Sequence, residues 1–266
     1  MKRILALFAL LCCLMPLWAQ EYKTEKDILY TDSKDAYAQE RCRLDVYYPT
    51  DRTDCPVVVW FHGGGLEGGG KFIPQELQRQ GIVVVAANYR FITRVSIKEC
   101  CDDAAAAVAW AMKHAEQYGG SHRKVVVSGH SAGGYLTDMV GLDKRYLAKY
   151  GVDADSIVLL APFSAQVITH YNERKKQGIG PLQPVIDDSA PIAHLRADAP
   201  PIMVLSGDRE LELYGRYEEQ AYFWRMLRLV GHPDATLYEM QGHDHGAMPG
   251  PAFHVMKQKM HQMKLY

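Results

Sequence analysis

From residue 43 onward, short β-branched runs alternate with longer stretches whose apolar positions recur every three or four residues. The runs are "RLDVYYP" (43–49), "VVVWFH" (57–62), "IVVVAANY" (82–89), "KVVVSG" (124–129), "SIVLLAP" (156–162), "PIMVLSG" (201–207) and "ATLYEM" (235–240). Most of the later ones are continuously apolar, the pattern of strands covered on both faces in a parallel sheet. Between them the period changes to 3.6. Ser96 and Glu99 form a capping box, and Ile97, Cys101, Ala105, Val108, Met112 and Ala115 then share one helix face, which stops at Gly119-Gly120. Tyr217, Ala221, Trp224 and Leu227 predict a second helix. Pro251 opens a third, with Phe253, Met256, Met260 and Met263 facing inward. Strands separated by such helices imply right-handed crossovers and an α/β fold, a mostly parallel doubly wound sheet. One stretch breaks the rhythm: residues 164–200 carry scattered Gly and Pro and read as a small lid-like insertion over the C-terminal sheet edge, where such folds bind ligands.

The N-terminus behaves differently. Lys2 and Arg3 precede an apolar run from Ile4 to Met15, then Pro16 and a small residue at Ala19. This is a signal-peptide layout over residues 1–19, too short to span a membrane comfortably, although Leu17 stands where a small residue is preferred. A lipid anchor through Cys12 or Cys13 is the competing reading and lacks the small preceding residue. The expectation is a secreted or periplasmic protein whose residues 20–266 form a single domain with no stable membrane insertion. Four cysteines then remain, Cys42, Cys55, Cys100 and Cys101, with three possible pairings or none; small buried hydrophobes is an equal reading. Charge is balanced, with Lys+Arg 30 against Asp+Glu 31 in 266 residues, so nucleic acid has no electrostatic footprint to bind.

Candidate chemistry centres on Gly129-His130-Ser131-Ala132-Gly133, a G-x-S-x-G match placed after a strand and before a helix. Flanking glycines allow a cramped turn that lifts the Ser131 hydroxyl clear of the sheet, beside a helix N-terminus. A serine needs a base and an anion hole before it can attack a carbonyl. His62-Gly63-Gly64-Gly65 follows an apolar strand and supplies flexible N–H groups, so Gly64, Gly65 and Ala132 are the expected oxyanion donors. The base is expected in "GHDHG", at His245 in preference to His243. The carboxylate that orients it is expected at Asp208, where "PIMVLSGD" ends; Glu210 and Glu212 lie nearby as alternatives and are read in preference as the acidic start of the next helix. Two rivals fail on residue chemistry. "GLEGGGKF" has phosphate-loop spacing, yet Phe72 replaces the hydroxyl that would hold magnesium. His243-Asp244-His245 lacks a third ligand cluster for a metal.

Taken in order, "FHGGG", "ANYRF", "DDAAAAVAW", "GGSHRKVVVSGHSAGGYL", "SAPIAHLRADAPPIMVLSGD" and "GHDHG" resemble the HGGG-type esterases of the α/β-hydrolase superfamily, notably its carbohydrate-esterase-like and hormone-sensitive-lipase-like members. The resemblance spans nearly all of the chain beyond the leader. It implies a serine carboxylesterase that works through an acyl-serine intermediate, without metal or organic cofactor. Small-molecule or carbohydrate esters are the implied partners, with acetyl or feruloyl groups on polysaccharides as the analogy. It also implies that Arg90 pairs structurally with Asp102 or Asp103. The chain departs from its relatives at Leu66-Glu67, where a bulky or aromatic residue often stands, and in lacking a large N-terminal cap. A serine peptidase or amidase for small substrates competes within the fold, and a non-catalytic binder outside it. Oligomeric state is left open.

Overall fold

Val57, Val59 and Phe61 pack into one hydrophobic core while Val58 and Trp60 pack into another, so the strand they share is buried on both faces. That strand, β3 (Cys55–Phe61), lies inside one 8-stranded sheet. The computed structural model describes residues 21–266; the expected signal segment, with Cys12 and Cys13, lies outside the described residues. The strands are β1 (Tyr22–Leu29), β2 (Arg43–Pro49), β3, β4 (Val83–Ala87), β5 (Gly120–His130), β6 (Leu159–Phe163), β7 (Ile202–Gly207) and β8 (Ala235–Met240), in the spatial order β1-β2-β4-β3-β5-β6-β7-β8. From β4 to β8 every neighbour is parallel; β1 and β2 join antiparallel at one edge. The fold is that of an α/β-hydrolase.

The alternation along β4 and β5 matches that of β3. Val83, Val85, Val125 and Val127 face the first core; Val84 and Val126 face the second. The short helices α1 (Ala36–Arg41) and α4 (Lys144–Ala148) lie before β2 and after α3; α2 (Ile97–His114), α3 (Ala132–Leu142) and α6 (Arg216–Leu229) cover the first core, and α7 (Pro249–Gln262) covers the second with Phe253, Met256 and Met260. The capping box at Ser96 forms as the sequence implies, and the stripe Ile97, Cys101, Ala105, Val108, Met112 and Ala115 is buried. Arg90 makes a two-pronged pair with Asp103, at 2.9 and 2.8 Å, whereas Asp102 pairs with Lys149. Lys71, the phosphate-loop lysine of the rejected motif, is tied to Asp27 and Asp45 at 2.8 and 2.6 Å. Cys42, Cys55, Cys100 and Cys101 are free buried thiols.

Two elements differ from expectation. β1 lies ahead of the runs that begin at residue 43 and lacks their pattern, because "YKTEKDIL" is an exposed edge strand studded with lysine and acid, a composition that blunts sheet edges. In α6 the buried face is Arg216, Gln220, Phe223 and Leu227, so Tyr217, Ala221 and Trp224 are only half-buried. The face is turned because its two polar members have work inside. Arg216 Nη1 donates to the Ser164 carbonyl and Gln220 Nε2 donates to the Ala165 carbonyl, satisfying a chain segment that leaves the sheet just after β6.

Candidate active site

Parallel register brings the chemistry-bearing loops together. Phe61 of β3 pairs with Gly129 of β5, and His130 of β5 with Phe163 of β6, so residues 62–65, 131 and 164 emerge side by side at the C-terminal sheet edge. Ser131 stands between β5 and α3 with φ 57 and ψ −114, a backbone state costly for any residue with a Cβ. The glycines around it have no room to be otherwise. A Cβ on Gly133 would meet the Phe61 carbonyl oxygen at 2.1 Å, and one on Gly129 would meet Gly133 backbone at 2.5 Å.

Gly64 (φ 112) and Gly65 (φ 64) line the same cavity as Ser131, in a turn closed by Glu67 and Gly68 N–H groups on the Gly64 carbonyl. Asn172, on α5 (Tyr171–Lys176) within the 164–200 insertion, holds that turn by donating Nδ2 to the Gly65 carbonyl at 2.5 Å. Tyr89 holds it from below, its hydroxyl donating to the His62 carbonyl at 2.8 Å. None of the N–H groups of Gly64, Gly65 and Ala132 donates to another described residue. Three uncommitted amides beside a helix N-terminus suit an incoming oxyanion.

Of the two late histidines, His245 lines this cavity with Ser131, while His243 bonds back to the Gln241 carbonyl through Nδ1. The His245 Nδ1 lies 2.9 Å from Glu212 Oε2. Glu212, whose side chain is 1% exposed, replaces Asp208 as the orienting carboxylate. Asp208 instead fastens two loops, accepting from Glu210 N–H at 2.9 Å and Gly242 N–H at 2.7 Å. The reason is local: the chain turns after Gly207 through the Asp208 bonds, and the turn swings Glu212, five residues past β7, back over the strand end. There Gly207 N–H and Leu213 N–H donate to Glu212 at 3.0 and 3.1 Å. Burial alone would raise its pKa. The hydrogen bonds from His245 and Ser164 outweigh this and hold it down at about 2.

Two further residues escaped the sequence reading. Ser164 Oγ sits 2.5 Å from Glu212 Oε1 and 2.8 Å from His245 Nδ1, so its hydroxyl donates to the carboxylate and its lone pair shares the imidazole N–H. Its backbone also has positive φ, at 47. No motif marks it; only its place directly after β6 does. His130, the variable residue of G-x-S-x-G, donates Nε2–H to the His245 carbonyl at 2.9 Å and so fixes the histidine loop to the nucleophile turn. Burial and the neighbouring His245 push His130 down to about 4, which keeps it a neutral donor.

The cavity that these groups line measures about 390 Å³, and Gln166, His170, Tyr171, Asn172, Leu213, Tyr214 and Arg216 complete its walls. With Nδ1–H directed at Glu212, His245 presents Nε2 as an acceptor.

A family model described as BD-FAE matches residues 44–212, well over half of the chain. The chain belongs to the BD-FAE family. This BD-FAE protein is 26% identical over 251 residues to Esterase LipC of Mycobacterium tuberculosis (strain ATCC 25618 / H37Rv), covering 83% of this chain and 62% of LipC. It is 35% identical over 103 residues to a probable isoprenylcysteine alpha-carbonyl methylesterase ICMEL1 of Oryza sativa subsp. japonica, covering 37% of this chain and 24% of that one. The chain thus spans less than two thirds of the length of these curated relatives. Its fold superposes on the apo form of Thermogutta terrifontis esterase 2 with a TM-score of 0.72 and 22% identity, over 93% of this chain and 96% of that one.

Proposed function

We propose that this BD-FAE protein is a serine carboxylesterase. The observation that carries the reading is the single cavity shared by the strained Ser131, three uncommitted amides and His245, whose far nitrogen is held by Glu212. In this mechanism His245 Nε2 takes the Ser131 hydroxyl proton as Oγ bonds to the ester carbonyl carbon. Gly64, Gly65 and Ala132 N–H groups receive the oxyanion. The carbonyl re-forms as the C–O bond to the alcohol breaks, and the imidazolium returns the proton to the leaving oxygen. Water, deprotonated by the same imidazole, then releases the acid from Ser131. Glu212 fixes the imidazole tautomer and supports its positive charge.

The physiological substrate class follows by analogy from the carbohydrate-esterase resemblance: acetyl or feruloyl esters on polysaccharides, met once the protein is exported and its leader cleaved after Ala19. The test of activity is labelling by a fluorophosphonate probe together with hydrolysis of p-nitrophenyl acetate. Both are expected of the wild type and absent in Ser131→Ala; a folded wild type that does neither overturns the reading. Faster cleavage of peptide anilides than of esters would favour an amidase instead. Fractionation of cells carrying the full chain, with N-terminal sequencing, tests export; a cytoplasmic protein beginning at Met1 counts against it.

A further inference from the structure

Beyond the groups assigned to bond cleavage, the Ser131 cavity has side chains that offer donors with nothing to receive them. Arg216 is 6% exposed and lines the cavity from the first turn of α6. Its Nη1 donates to the Ser164 carbonyl, and the guanidinium makes no other hydrogen bond among the described residues. No carboxylate comes within 4.0 Å of its nitrogens. Two carboxylates, Glu219 and Glu212, offset its charge through space, but neither contacts it: Glu212 is hydrogen-bonded to His245, Ser164 and two amides, and Glu219 to the Val167 N–H at 3.4 Å. A buried guanidinium without a paired anion is an expensive arrangement that proteins seldom keep without a use.

Its neighbours share the same polarity. Gln166, also buried, accepts from Tyr171 N–H at 2.9 Å through Oε1, which leaves its amide NH2 group as a donor in the cavity wall. His170 accepts from Asn172 N–H at 3.2 Å through Nδ1, which places its own proton on Nε2. Burial, with Arg216 and Arg174 adding to it, pushes His170 down to about 3, so it stays neutral. Arg216, Gln166 and His170 therefore form a wall with a fixed positive charge and N–H donors. A carboxylate supplies the matching acceptors at contact distance, and a planar guanidinium binds it well.

We propose that this wall is a subsite for a carboxylate carried by the ester substrate, so that the enzyme prefers esters with an acidic group on one side of the scissile bond. The apolar part of such a substrate has Leu213 and the stacked rings of Tyr171 and Tyr214, 5.7 Å apart, to lie against. The inference rests on the serine-esterase reading above and adds the charge of the substrate to it.

The test compares kcat/KM on two matched pairs with the full protein at low salt. p-Nitrophenyl hydrogen adipate against p-nitrophenyl methyl adipate places the charge on the acyl side; 3-acetoxybenzoate against its methyl ester places it on the alcohol side. The expected result is a preference of about tenfold or more for the acid in one pair, the scale of a charge-assisted hydrogen bond in a buried site. That preference should fall at least several-fold in Arg216→Gln and, more mildly, in Gln166→Leu. The wild-type comparison stands even where Arg216→Gln does not fold. Neutral esters cleaved as fast as their acids in both pairs, or a preference that survives both substitutions, overturns the subsite. Failure to cleave any ester of either pair overturns the esterase reading itself, a separate outcome.

Discussion

Glu212 Oε2 lies 2.9 Å from His245 Nδ1, while Asp208, four residues earlier, spends both carboxylate oxygens on backbone N–H groups. The two acids therefore answer differently to loss of charge. In Glu212→Gln the amide cannot orient and stabilise the imidazolium as the carboxylate does, and kcat should fall by a factor on the order of 10³ to 10⁴, as when an orienting acid is neutralised. In Asp208→Asn one of the two acceptor oxygens survives and His245 keeps its own carboxylate, so kcat should stay within about threefold while stability drops by about 1 kcal/mol. Steady-state assays on p-nitrophenyl acetate with melting curves decide the assignment. The opposite ranking of the two variants would return the role to Asp208.

Ser164 gives the second expected outcome. Removing its hydroxyl takes away the donor to Glu212 Oε1 and the shared acceptor of the His245 N–H, so kcat should fall about tenfold with KM little changed. Two replacements separate hydroxyl from backbone. Ser164→Ala keeps the Cβ that Ser164 already carries at a φ of 47 and Ser164→Gly relieves it, yet both lack Oγ. Equal loss in the two identifies the hydroxyl; a loss confined to Ser164→Gly identifies the backbone constraint that the Cβ imposes.

Nucleophile strain makes a third. At φ 57, Ser131 occupies a state that favours glycine, and the close packing of Gly129 and Gly133 beneath it leaves the turn no other course. Ser131→Gly should therefore melt higher than Ser131→Ala, by the equivalent of roughly 0.5–1 kcal/mol, although both are inactive. A lower melting point for the glycine variant would mean that the turn is not strained in solution.

The parts of the site legible in the sequence were those whose chemistry is enforced by neighbours along the chain. Gly129 and Gly133 have to be glycine because the Phe61 carbonyl and their own turn leave no space for a side chain, so the serine motif announces itself. Alternating burial in β3, β4 and β5 likewise writes the parallel sheet as unbroken apolar runs. The rest depends on contacts between distant segments. Glu212 and Asp208 sit in one acidic stretch, and what separates them is a loop closed by Gly242, 34 residues from Asp208. Ser164 has no local signature, since its partners lie 48 and 81 residues away. In α6 the hydrophobic period marked the helix, but of its four residues only Leu227 is buried, because Arg216 and Gln220 point inward to satisfy carbonyls at 164 and 165.

A last expectation concerns acid stability and rests on two buried imidazoles. His62 stacks on Tyr89 with ring centres 4.4 Å apart and donates Nδ1–H to the Gly63 carbonyl, beneath the glycine turn; His170 anchors the start of α5. Burial pushes His62 down to about 4 and His170 down to about 3. Unfolding returns each to an ordinary value near 6.5, so below that pH the unfolded chain binds protons that the folded chain refuses. The sign is therefore a loss of stability as pH falls from 6.5 towards 4, fading once the folded-state values are passed. At pH 5 the loss is about 2 kcal/mol for each imidazole, from a gap of about 1.5 pH units at 1.36 kcal/mol per unit. Glu212, held low at about 2 by its partners, acts in the same direction at lower pH: its contribution is present above about 4.5 and is lost as pH falls towards 2. Denaturant melts near pH 5 should thus show close to three protons taken up on unfolding by buried histidines, two from these imidazoles and one from His130, which burial and its neighbour His245 push down to about 4, and about one fewer in His170→Asn. Stability that stays level from pH 7 to pH 5 would mean that neither imidazole is shielded from water, and that the floor of the glycine turn is open.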